Sequence, residues 1–147
     1  MKPELATLAR YRLSRAKEAL EDAMVLLEKG SLSSAINRLY YAAFYAARGL
    51  LATKGLDSSR HSGVISLFNQ HFVKSGVIDQ MVAKALPRSF EKRLNTDYED
   101  FASVDRGEVE QVKDDVQRFV NECQRRLDAL IGTRKAKPAQ SPGRGKR

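Results

Sequence analysis

One stretch, SLSSAINRLYYAAFYAARGLLATK (Ser31 to Lys54), restricts what this chain can fold into more than any other. It holds no proline and one internal glycine, Gly49. Leu32, Ile36, Leu39, Ala43, Ala46 and Leu50 recur at steps of four and three, which is one apolar seam of a helix. Tyr40, Phe44, Ala47 and Leu51 form a second seam beside it. A helix apolar around so much of its circumference is covered by neighbours on several sides, so it belongs at the centre of its domain. Ala42, Ala43, Ala46 and Ala47 let a neighbouring backbone come close. One narrow stripe is left over: Ser34, Arg38, Tyr41, Tyr45 and Arg48, again at steps of four and three. It carries cations and phenols together.

The flanking sequence supplies partners for that central helix. Pro3 suits a first helical turn, and Ala9, Leu13, Ala16, Leu20, Ala23 and Leu27 give the segment up to Lys29 its own seam, with Arg10, Arg12, Arg15, Lys17, Glu18, Glu21 and Asp22 on much of the other face. Gly30 as C-cap and Ser31 as N-cap make a turn short enough to force an antiparallel hairpin. Gly55 ends the central helix. Asp57, Ser58 and Ser59 read as caps for a shorter helix over Arg60 to Lys74, which Ser75 and Gly76 close. A fourth begins near Ile78 with a kink or split expected at Pro87. Ser103, Asp105 and Gly107 suggest a loop, and the last helix runs from about Arg106 to Ile131 on Val109, Val112, Val116, Phe119, Cys123, Leu127 and Leu130. No segment alternates with the period of a strand. The expectation is an all-α, up-and-down bundle of four to five helices over residues 1–131, and a disordered basic tail over 132–147.

Charge and cysteine content limit the chemistry. The formal net charge is +8, but six basic residues and no acid lie beyond Ile131, so the folded part carries only about +2. No apolar run approaches the roughly 18 residues of a membrane span, and the charged N-terminus is unlike a secretory signal. With Cys123 as its single cysteine the chain forms no internal disulfide, and a reducing cytoplasm is the expected setting. His61 and His71 stand nearly three turns apart on one helix, too far to share one metal ion within a chain. Phosphate-cradling glycine loops, zinc-protease helices and nucleophile elbows are absent.

Three constellations and the tail are left as candidate sites. The stripe Arg38–Tyr41–Tyr45–Arg48 can grip phosphates and stack on bases; it can equally be tyrosines packed on neighbouring helices with arginines reaching solvent. Arg93 and Asp97 have ion-pair spacing with Tyr98 beside them, which is either a surface pair worth roughly 0.3–0.5 kcal/mol or a phosphodiester-holding group. Arg60-His61-Ser62 at a helix start is a capping cluster or an anion site. The basic tail attracts nucleic acid or serves solubility.

Taken in order, RLYYAAFYAARGLLATKGL (Arg38 to Leu56), HSGVISLFNQHFVKSG (His61 to Gly76) and RLNTDYEDF (Arg93 to Phe101) resemble the HEPN domain family, in its small stand-alone prokaryotic branch, over roughly Leu5 to Leu130. The resemblance implies a helical bundle that dimerises. It further implies a metal-independent ribonuclease without cofactor, acting as a toxin or in defence, with a minimal nucleotidyltransferase as antitoxin partner. The family motif is Arg, four to six residues, then His, at the dimer cleft. Arg93 matches the Arg, while position 98 is Tyr98 and no histidine follows His71. The resemblance therefore gives Arg93 the phosphate and transition-state charge, Asp97 the orientation of Arg93, and Tyr98 the place of a cleft phenol or modification site. His61 is the candidate to supply the missing imidazole from elsewhere in the fold. An alternative stays open: a non-catalytic, nucleotide-binding adaptor for the nucleotidyltransferase.

Overall fold

A computed structural model describes residues 1–98 and 104–132; side chains are described through residue 96 and again from 104. Among these residues all regular structure is helical: α1 (Pro3–Glu28), α2 (Leu32–Ala52), α3 (His61–Phe68), α4 (Gln80–Ala83), α5 (Ala85–Tyr98) and α6 (Arg106–Ile131), with a π-helical turn over Asn69–Val73. The all-α bundle expected from periodicity is the fold. The basic tail beyond Gly132 lies outside the described residues.

Helices α1 and α2 form the antiparallel hairpin. Gly30, at φ 85°, takes the left-handed position that follows α1. Its N–H donates to the Leu27 carbonyl at 3.0 Å and that of Ser31 to the Leu26 carbonyl at 2.9 Å, so two carbonyls at the helix end are satisfied inside the turn. Ser31 occupies the N-cap of α2, as expected, yet its hydroxyl makes no capping bond. The pair packs closely because Gly49 faces Leu13 and the Ala9 carbonyl. Helix α2 then touches α1, α3, α5 and α6. From Leu39 to Ala52 every residue is buried except Tyr41, Tyr45 and Arg48. The two apolar seams are thus the core, and the polar stripe is what they leave uncovered.

After α2 the chain repeats the same stop. Gly55 (φ 69°) donates to the Ala52 carbonyl and Leu56 to the Leu51 carbonyl, each at 3.0 Å. The following loop departs from expectation. Asp57 does not cap α3; it pairs with arginines of α1 and α2, and α3 begins with no side-chain cap. In the π-helical turn the Lys74 N–H reaches the Asn69 carbonyl at 2.9 Å, and Phe68 and Phe72 stack at 5.4 Å within the core. The expected split occurs at Lys84 rather than at Pro87. Pro87 falls in the first turn of α5, where its missing N–H costs nothing because first-turn donors have no helical partner. Asp79 and Asp105 cap α4 and α6 with their carboxylates. The Arg106 guanidinium donates to the Leu27 carbonyl at 3.0 Å, tying the start of α6 to the end of α1.

Candidate functional site

Because α2 is buried on all other sides, its stripe is where side chains from other elements collect. Arg38 and Arg93 both place their guanidinium carbon near the Tyr41 ring, at 5.1 and 5.3 Å from its centre. Arg93 comes from α5 and also lies 5.5 Å from the Tyr40 ring. Tyr41 and Tyr45 are 6.2 Å apart. Arg48 lies 5.6 Å from the Phe44 ring at the far end of the stripe. The structure therefore brings together the α2 stripe and Arg93, which sequence reasoning held as separate candidates.

His61, the first residue of α3, enters the same cluster. Its ring stacks on Phe44 at 4.6 Å and 13°, and its Nδ1 is 2.7 Å from the Tyr40 hydroxyl. Phe90 of α5 closes over both, 5.3 Å from Tyr40 and 6.0 Å from His61. Burial, then the fields of Arg93 and Arg48, push the His61 pKa below its ordinary value, so the imidazole is neutral at pH 7. Burial pushes the Tyr40 phenol well up, against the opposing pull of Arg93, so it keeps its proton. Two neutral groups share this bond, and the tautomer fixes what Nε2 can do. With Nδ1–H donating to the phenol, Nε2 is a base; with the phenol donating to Nδ1, Nε2–H is an acid.

The position of His61 is set by a charge clamp in the preceding loop. Arg48 grips Asp57 with both arms, Nε to Oδ1 at 3.0 Å and Nη2 to Oδ2 at 2.6 Å. Arg12 of α1 reaches the same carboxylate at 3.3 Å and the Arg48 carbonyl at 3.2 Å. The Arg48 bond chiefly holds the Asp57 carboxyl below its usual range. Asp57 Oδ1 also accepts from the Ser58 N–H at 2.8 Å, and Ser58 Oγ from the Arg60 N–H at 3.2 Å. The loop is thus ordered up to the residue before His61. Gly63 is needed here, since a Cβ would overlap Ser58.

Asp97 and Tyr98 end α5, one turn beyond Arg93; their side chains lie outside the described residues. Arg38, Tyr41, Tyr45, Arg48, His61 and Arg93 all belong to one surface. Sequence reasoning placed Tyr40, Phe44 and Phe90 in the core and so missed their contact with His61, and it placed Asp57 at a cap and so missed its pairing with Arg12 and Arg48. The signal for Asp57 was weak: an acid two residues past a helix stop reads as a cap unless one knows that Arg12 and Arg48 converge on it. A cavity of about 490 Å³, walled by Ile65, Phe68, Leu86, Pro87 and Phe90, adjoins the cluster through Phe90. Among the described residues no group of histidine, cysteine or carboxylates is arranged to hold a metal ion, and no helix is long and apolar enough to cross a membrane.

Comparison with known proteins agrees with this fold. The HEPN domain family model matches residues 9–127. A UPF0332 protein of Thermotoga maritima is 40% identical over 127 residues, covering 86% of this chain and 91% of its own. A protein of Methanocaldococcus jannaschii named "Putative toxin" is 31% identical over 116 residues, covering 79% of this chain and 86% of its own. A UPF0332 protein of Pyrococcus horikoshii is 49% identical over 73 residues, half of each chain. The chain belongs to the HEPN domain family.

Proposed function

We propose that this chain is a toxin-like HEPN protein that binds and cleaves RNA without a metal, as a homodimer paired with a minimal nucleotidyltransferase. The observation that carries the reading is the convergence of His61 and Arg93 on the Tyr40–Tyr41 pair, which supplies an imidazole beside the motif arginine. In the reaction, neutral His61 takes the proton of the 2′-OH. The 2′-oxygen bonds to phosphorus, and the P–O5′ bond breaks as the leaving oxygen gains a proton from water. A 2′,3′-cyclic phosphate and a 5′-hydroxyl result. Arg93 and Arg38 stabilise the charge that builds on the phosphorane oxygens. The relatives that carry "toxin" in their names support the biological setting.

The test is cleavage of mixed RNA in EDTA by wild type, Arg93→Ala and His61→Ala. Wild type is expected to cleave, and loss of a general base lowers the rate by about 10²–10⁴. Full activity in His61→Ala would remove the imidazole from the mechanism. A second reading, a non-catalytic adaptor, is favoured by one observation: the motif's histidine position holds Tyr98. Absence of cleavage by folded, dimeric wild type, together with co-purification of the nucleotidyltransferase, would select it.

A further inference from the structure

The α2 stripe continues onto α1. Arg15 of α1 places its guanidinium carbon 5.1 Å from the centre of the Tyr45 ring and donates to the Tyr11 hydroxyl at 3.1 Å. Tyr11 is 55% exposed, far more than a packing tyrosine. Read across the hairpin, rings and cations form one continuous row: Tyr11, Arg15, the neighbouring rings of Tyr45 and Tyr41, then Arg38 and Arg93 together. Since α1 and α2 are antiparallel, the step from Arg38 to Tyr45 and the step from Arg15 to Tyr11 run in the same direction. They add up to about 16 Å of helix axis at about 1.5 Å per residue, the length of about five stacked nucleotides at about 3.4 Å each.

The geometry points to this ladder as a track for single-stranded RNA that leads into the His61–Arg93 site. The proposal rests on the RNA-directed reading and adds the route, the strandedness and two residues of α1. A guanidinium laid over a phenol, as on Tyr41 and Tyr45, leaves its N–H edge for phosphate, while the exposed ring of Tyr11 takes a base without regard to sequence. An unpaired strand offers base faces and phosphates in alternation, whereas a duplex hides its base faces. Glu18 is paired to the ladder's α1 arginine, 3.4 Å from Arg15, and an incoming phosphate has to displace it.

Fluorescence anisotropy with labelled 2′-O-methyl oligonucleotides, which cannot be cleaved at the 2′-oxygen, tests this on the full chain. Wild type should bind an octanucleotide more tightly than a dinucleotide, and more tightly than a duplex of the same length. Tyr11→Ala, at an exposed position, should cut the gain from dinucleotide to octanucleotide by about tenfold, in keeping with loss of one stacked base, and Tyr11→Phe should restore it. A Tyr11→Ala protein that keeps the full gain overturns the track but not the active-site reading. So does equal affinity for the duplex, or conversion of a dimer to a monomer by Tyr11→Ala in sedimentation, which would make this face a contact between two copies. Wild type that binds neither oligonucleotide overturns both.

Discussion

His61 links burial to chemistry through a pKa pushed below 6.5. In the folded protein it resists protonation, while in the unfolded chain it titrates normally. Stability is therefore full above about pH 6.5 and falls as pH drops from there through the lowered folded pKa. Denaturation midpoints between pH 7.5 and 5 should show this loss in wild type and not in His61→Gln. The same shift sets the activity profile. A general base works when deprotonated, so the cleavage rate should be flat above pH 7 and decline on an acid limb below 6.5. Tyr40 separates structure from reaction at this position. Tyr40→Phe keeps the ring contacts with Phe44 and Phe90 and removes only the bond to Nδ1. It should cost about 1 kcal/mol in stability, and NMR titration should show a changed His61 pKa. Tyr40→Leu, which also empties a fully buried ring site, should cost clearly more.

At the scale of elements, two junctions decide whether the site forms. The first is the α1–α2 contact at Gly49. A Cβ there would overlap the buried Leu13 side chain and come 3.3 Å from the Ala9 carbonyl oxygen. Overpacking costs about 1–3 kcal/mol, and the better helix propensity of alanine offsets about 1 kcal/mol of it. Gly49→Ala should therefore lower stability by about 1 kcal/mol in urea unfolding, despite lying in a helix interior. The second junction is the Asp57 clamp. Asp57→Asn removes the charge that holds Arg48 and Arg12 together and leaves two guanidiniums facing each other. Its cost in stability should be small, about 1 kcal/mol, because the carboxylate is partly exposed. Its effect on cleavage should be larger than on stability, since the loop it anchors carries His61.

For the whole molecule, charge is unevenly divided. Most of the +8 lies beyond Ile131, while residues 1–131 nearly balance their charges and gather Arg38, Arg48 and Arg93 at the α2 stripe. Removing residues 133–147 should reduce the salt dependence of RNA affinity, by up to about 4 in the slope of log K against log salt for six lost charges on a single strand. It should leave the difference between wild type and Tyr11→Ala intact. A truncated protein that no longer binds RNA even at low salt would show that the tail, and not the helical ladder, holds the nucleic acid.

Helical periodicity was enough to write down the bundle, because a seam repeating every three or four residues has one low-energy use, and glycines after such seams have few alternatives. The uncovered stripe of α2 was legible for the same reason: once Leu39, Tyr40, Ala43 and Phe44 are assigned inward, Tyr41, Tyr45 and Arg48 have only the outside left. What the sequence did not contain was distance between elements. Arg93 and His61 are separated by the π-helical turn, α4 and the break at Lys84, and nothing in local propensity says that α5 folds back over α2. Nor does it say that Arg15 lies on Tyr45, or that Asp57 serves two arginines instead of a helix end. Those pairings follow from burial of α2 on every side but its stripe, which fixes where its neighbours must stand, and burial is settled only when the whole core packs at once.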